Sequence, residues 1–97
     1  MAWVYILRCA DNSYYVGSTR NLDTRMFQHS SGLGSQYTSK RLPVTLVFAQ
    51  EFDRIDEAYA REKQIQGWSR RKREAAINGN WNELPRLSKK RFGPPAS

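Results

Sequence analysis

Trp3 to Cys9 is a run of strand-forming residues whose alternation sets Trp3, Tyr5, Leu7 and Cys9 on one face and Val4, Ile6 and Arg8 on the other. Ala10 to Ser13 supplies turn residues, and Tyr14 to Ser18 returns as a second strand, so Trp3 to Ser18 reads as a β-hairpin. Gly17, near its end, marks a place where another group comes close, a bulge or a strand terminus. Leu22, Arg25, Met26 and His29 then follow the i, i+3, i+4, i+7 spacing of one helical face, with Asn21 as the expected N-cap and Gly32 as the stop. Residues 30–43 carry Ser, Gly and Lys without periodicity and read as a mobile loop. Pro43 introduces a third strand from Val44 to Phe48 or slightly beyond. A second helical stripe of Ile55, Ala58, Tyr59, Glu62 and Ile65 is expected to be capped by Asp53 with Asp56 and ended by Gly67. Ser69 can cap a last helix to about Asn78. The order is ββαβαα. With a first connection too short for a parallel crossover, it predicts an α+β fold in which a three-stranded antiparallel sheet is flanked by helices.

Three inward positions are polar. Arg25 and His29 lie on the face that should be apolar, and Glu62 interrupts the second stripe. An unpaired buried cation costs several kcal/mol on the general scale for charges in low dielectric, so the Arg25 face is expected to line a cleft or meet an anion. A guanidinium one turn from an imidazole suits a phosphate group. For Glu62, an ion pair with Arg25 or Arg61 is an equally simple reading. Tyr5 and Tyr15, on adjacent strands, can likewise be core aromatics with their hydroxyls at the rim.

Charge narrows the partners. Sixteen Lys and Arg against nine Asp and Glu give a net charge of +7 on 97 residues, enough to attract a polyanion. The charge is grouped at Lys40-Arg41, at Arg70-Arg71-Lys72-Arg73 and at Lys89-Lys90-Arg91, each of which would also serve as a solvated face. A chain of this length forms one domain, assigned to residues 1–82, and a basic tail at 83–97 is expected to be poorly ordered. One cysteine excludes an internal disulfide, and one histidine leaves no zinc-binding arrangement. With no long apolar stretch or leader, a soluble cytoplasmic protein without membrane association is expected.

Taken together, Trp3-Val4-Tyr5, Tyr15-Val16-Gly17, Arg25, His29 and Glu62 resemble, in order and spacing, the GIY-YIG nuclease family, and most of all its small stand-alone bacterial members. The similarity extends through Gly32 to Thr38, Pro43 to Phe48, Ala60 to Ile65 and Gly67 to Lys72, covering roughly residues 3–82. The first motif departs from the family pattern, since Trp3-Val4 replaces Gly-Ile while Tyr5 is kept. The resemblance implies the same fold. It also implies Tyr5 as the general base, His29 assisting proton transfer and Tyr15 positioning water or phosphate, although the two tyrosines can exchange roles. An asparagine that often completes such sites has three candidates, Asn78, Asn80 and Asn82.

The residue types alone suit phosphodiester hydrolysis. Glu62 is a lone carboxylate fitted to a single Mg²⁺ or Mn²⁺ that keeps most of its waters, and Arg25 is placed to neutralise charge on the non-bridging oxygens. A tyrosine base needs its pKa lowered from about 10 by a nearby cation or metal. The expectation is a divalent-metal-dependent endonuclease acting on DNA, in repair or recombination, that selects nucleic-acid structure more than sequence, with Lys40, Arg41, Arg70, Arg71, Lys72 and Arg73 on phosphates. The alternative is a nucleic-acid-binding module of the same fold, non-catalytic or dependent on a protein partner that targets it to substrate.

Overall fold

The computed structural model describes residues 1–79. Its elements are β1 (Ala2–Arg8), β2 (Tyr14–Thr19), α1 (Leu22–Ser30), α2 (Gln36–Ser39), β3 (Thr45–Phe52), α3 (Ile55–Gln66) and α4 (Arg70–Ile77). The three strands form one antiparallel sheet in the order β2-β1-β3, which confirms the α+β class and makes β1 the central strand. Centrality explains why β1 is apolar on both faces: Val4, Tyr5, Ile6 and Leu7 are all fully buried. In the hairpin, Asn12 takes the left-handed conformation, at φ 70°, that asparagine tolerates in turns.

Register assigns the faces. Val4 pairs with Ser18 and Tyr5 with Gly17, so these successive pairs project to opposite sides of the sheet. On one side Val4, Ile6 and Val16 pack with Ile65 of α3, Trp68, and Ala75 and Ala76 of α4 to form the main core. Tyr5 points to the other side, where it meets His29 of α1.

Most helix ends follow local chemistry. Asn21 caps α1 by accepting from the Thr24 N–H at 3.0 Å, and Ser69 caps α4 by accepting from the Lys72 N–H at 3.2 Å. The α3 expectation is corrected: its N-cap is Arg54, with no side-chain cap, and Arg54 grips the Asp56 carboxylate through two nitrogens at 3.0 and 2.7 Å. Asp56 thereby lies in the first turn, where a carboxylate still favours the helix dipole. The third strand runs four residues past Phe48 because residues 49–52 pair with β1 from Tyr5 back to Ala2, after a register shift that leaves Val47 unpaired. Tyr59 leaves the inward stripe. It is 53% exposed, and Lys63 Nζ lies 4.9 Å from its ring centre, one turn on.

The expected loop at 30–43 contains α2, one turn capped at its start by Ser35. It is tied to the hairpin turn by the Ala10 N–H donating to the Arg41 carbonyl at 2.9 Å and by the Arg41–Asp11 ion pair at 3.0 Å. Asn80, Asn82, the domain boundary at 82, the tail and Lys89 to Arg91 lie outside the described residues. Among the described residues no helix is long and apolar enough to cross a membrane.

Candidate active site

Tyr5 is the hub of a buried polar cluster. Its hydroxyl lies 2.9 Å from His29 Nε2, and Arg25 Nε donates to the same oxygen at 3.4 Å. Arg25 Nη1 also donates to Gln28 Oε1 at 3.2 Å, which holds the guanidinium along α1. The helical spacing of Arg25 and His29 makes this possible, because it aims both side chains at the sheet face that carries Tyr5. Tyr5 and His29 are fully buried, while Arg25 is half-buried.

Gly17 is the reason Tyr5 fits. A Cβ at this position would lie 2.5 Å from the tyrosine hydroxyl oxygen and 2.7 Å from Cζ, closer than real side chains approach. The glycine foreseen from sequence as a point of close approach is thus the floor under the phenol. Gly17→Ala is expected to destabilise the fold by about 1–3 kcal/mol, the usual range for overpacking, and to weaken the Tyr5–His29 bond. Chemical denaturation of the variant checks the first effect; wild-type stability would remove Gly17 from this role.

Tyr15 covers the cluster. Its ring centre is 5.2 Å from that of His29 and 6.5 Å from that of Tyr5, and it stacks on Tyr37 at 6.0 Å. Arg41 closes the stack from beyond, with Cζ 3.8 Å from the Tyr37 ring centre and Nη1 donating to the Tyr37 carbonyl at 2.9 Å. Tyr37 carried no periodic signal, and its place is set by these long-range contacts.

Glu62 arrives from the α3 side. Its Oε1 accepts from Ser18 Oγ of β2, an edge strand, at 2.6 Å, and its Oε2 from Gln66 Nε2 at 2.8 Å. Arg25 is therefore not its partner, since the guanidinium turns to Tyr5 and Gln28. Each Glu62 oxygen keeps a lone pair, and the pair of donors fixes the carboxylate without neutralising it. Its charge still reaches Tyr5, where it is one of the influences that raise the phenol pKa.

Electrostatics revise one expectation. Burial pushes the Tyr5 phenol above its ordinary value, and the Arg25 hydrogen bond and charge offset only part of that rise. His29 moves the opposite way, held below the usual histidine range first by burial and then by the Arg25 cation. The imidazole is thus neutral near pH 7, with one ring nitrogen donating and the other accepting.

A histidine whose folded pKa is depressed binds its proton more readily in the unfolded chain, so its contribution is fully present above about pH 6.5 and is lost as pH falls below that value toward the folded pKa. Urea unfolding from pH 8 to pH 5 is expected to show stability falling by up to about 1.4 kcal/mol per unit in that window, and His29→Gln should flatten this part of the profile. An identical acid slope in the variant would assign it to other groups.

The basic positions divide. Lys40 and Arg71 are exposed, and Arg70 lies over the Tyr14 ring at 4.4 Å while donating to Glu74 at 3.1 Å. Lys72 is buried with Nζ 4.5 Å from the Trp68 ring centre. Arg73 donates to the Ile65 and Gln66 carbonyls at 3.2 and 2.9 Å, satisfying the C-terminus of α3. Reading residues 70–73 as one basic run foretold neither of these inward tasks.

A model of the GIY-YIG catalytic domain matches residues 1–75, and the chain belongs to that family, whose domain is of nuclease type. Among its relatives are small proteins called UPF0213. One from Staphylococcus haemolyticus is 42% identical over 71 residues, covering 73% of this chain and 87% of its own length. One from Natronomonas pharaonis is 41% identical over 75 residues, covering 77% and 88%. The solution NMR structure of a UPF0213 protein from Bacillus halodurans is similar at a TM-score of 0.53 and 38% identity, covering 91% of this chain and 98% of that one.

Proposed function

We propose that this chain is a divalent-metal-dependent endonuclease that hydrolyses phosphodiester bonds in DNA and selects by nucleic-acid structure rather than sequence. The observation that carries the reading is the Tyr5 hydroxyl held between His29 Nε2 and Arg25 Nε, with the Glu62 carboxylate fixed by Ser18 of β2 and close enough for its charge to act on Tyr5.

Tyr5 is the general base in this reading, because its proton has a recipient. As the phenol takes a proton from the attacking water, it passes its own to neutral His29. The Arg25 contact is the longest bond in the cluster, and a substrate phosphate draws the guanidinium onto its non-bridging oxygens. That movement uncovers the Tyr5 oxygen to water and places a cation where negative charge develops. Tyr15, half-buried at the rim, orients the water or the phosphate.

Glu62 is the residue that would hold the metal. Its donor set fits a hard cation, with one oriented carboxylate, a free lone pair on each oxygen and no competing arginine from α1. Bound there, Mg²⁺ or Mn²⁺ supplies Lewis-acid stabilisation of the phosphate charge. The exposed Lys40, Arg70 and Arg71, with Arg41, are proposed to contact the phosphate backbone. Such contacts position a strand without reading its bases, which favours recognition of shape.

A second reading draws on the complete burial of Tyr5 and His29: a nucleic-acid-binding module whose catalytic pair is opened only by a protein partner. One experiment separates the two. The purified chain is incubated with branched, nicked, duplex and single-stranded DNA, and with matched RNA, in Mg²⁺ or Mn²⁺. The expected result is cleavage of DNA by the chain alone, with rates that depend on structure and not on flanking sequence. Binding without cleavage across the whole panel would favour the partner-dependent module.

A further inference from the structure

His29 Nδ1 faces Thr38 Oγ1 at 3.0 Å, on the side of the ring away from Tyr5. Both residues are fully buried. In a neutral imidazole one nitrogen donates and the other accepts, so whatever Thr38 does at Nδ1 decides what Nε2 can do for Tyr5.

The partners of the two hydroxyls favour one direction. At one end Tyr5 Oη already accepts from Arg25 Nε, which leaves its proton for Nε2. At the other end Thr38 Oγ1 donates to the Ser35 carbonyl at 3.4 Å, which leaves its oxygen to accept from Nδ1–H. Ser35 Oγ takes the Thr38 N–H at 3.1 Å and stands 2.9 Å from Thr38 Oγ1, where its proton adds a second donor to that oxygen. Every group in the chain Arg25, Tyr5, His29, Thr38, Ser35 is satisfied by a single proton arrangement, with hydrogen on Nδ1 and a lone pair on Nε2. The ring is also held in place. A Cβ at Gly34 would lie 2.5 Å from His29 Cγ, so the segment leading into α2 presses on the imidazole with bare backbone.

We infer that Thr38 is a positioning residue that fixes His29 in the Nδ1–H tautomer, and that the one-turn helix α2 exists to present it. The inference rests on the nuclease reading only for its effect on rate; the tautomer itself is independent of that reading. It also gives the Ser-Gly segment at 30–43 a task its composition did not suggest, since Ser35 is at once the cap of α2 and the last partner of the proton chain.

The test uses the fact that the chain has one histidine, so a long-range ¹H–¹⁵N spectrum contains a single imidazole. Wild type above pH 7 is expected to show a protonated Nδ1 and an unprotonated Nε2. Thr38→Val, close in shape but without the hydroxyl, should lose that preference. It should slow single-turnover cleavage by about 10- to 100-fold, the size of effect that removing a partner from an oriented histidine has elsewhere, with little change in nucleic-acid affinity. Thr38→Ser should restore the tautomer and most of the rate. An Nε2–H tautomer in wild type would overturn the inference outright, even if the valine variant fails to fold. So would an unchanged tautomer in Thr38→Val. A chain that shows the expected tautomer, loses it in Thr38→Val and yet cleaves nothing would support the positioning role and remove the nuclease reading instead.

Discussion

Glu62→Gln is expected to abolish cleavage while leaving the fold and nucleic-acid binding nearly unchanged. The amide is the same size, and its oxygen still accepts from Ser18 Oγ. Only the Gln66 contact must adjust, which Gln66 does by presenting its own carbonyl oxygen. The stability loss should therefore stay near the ~1 kcal/mol of one neutral hydrogen bond. What disappears is the negative charge that would hold a divalent cation, and with it the Lewis acid of the reaction. Rates under single-turnover conditions and the unfolding midpoint, measured on the same preparation, separate the two effects. Unchanged turnover would make Glu62 a structural partner of Ser18 and Gln66 and nothing more.

Tyr5→Phe should slow cleavage by about 10²- to 10⁴-fold, the usual contribution of a positioned acid or base. It should also cost stability, because Tyr5 Oη is the hydrogen-bond partner of the fully buried His29 Nε2. A buried polar group left unsatisfied costs about 1–3 kcal/mol. The matched variant Tyr15→Phe keeps the ring stacked between His29 and Tyr37 and should lose much less of both. The ratio of the two variants is informative: a larger rate loss in Tyr15→Phe would transfer the base to Tyr15 and leave Tyr5 as its buried support.

Periodicity reveals residues that break a pattern, and it revealed Arg25, His29 and Glu62 for that reason. Two of the three turned out to share a cluster with Tyr5, whose face was legible from strand alternation, as was the close approach at Gly17. What alternation and spacing do not carry is the other side of each contact. Ser18 and Gln66 are ordinary polar residues until Glu62 lies between them, and Thr38 gains its meaning only from a histidine nine residues away. Helix α2 was missed on the same grounds. Four residues have no period, and the turn is held by the Ser35 cap and the Thr38 bond to His29 rather than by propensity. Tyr59 was misplaced because its spacing fits the inward stripe while its ring lies outside with Lys63. The basic run at 70–73 read as one cluster, yet its members face different ways around α4, with Lys72 on Trp68 and Arg73 on the end of α3.

The most direct measurement is a single-turnover cleavage assay on the chain alone. The protein is stripped with EDTA, offered end-labelled branched and single-stranded DNA, and then given Mg²⁺ or Mn²⁺. If Glu62 holds one catalytic ion that acts with Tyr5, His29 and Arg25, cleavage will be absent without metal, will appear on its addition with a simple one-site dependence on metal concentration, and will be missing in Glu62→Gln at every concentration. Cleavage that persists in EDTA, or tight DNA binding with no cleavage at any metal concentration, would contradict a metal-dependent nuclease built on these residues.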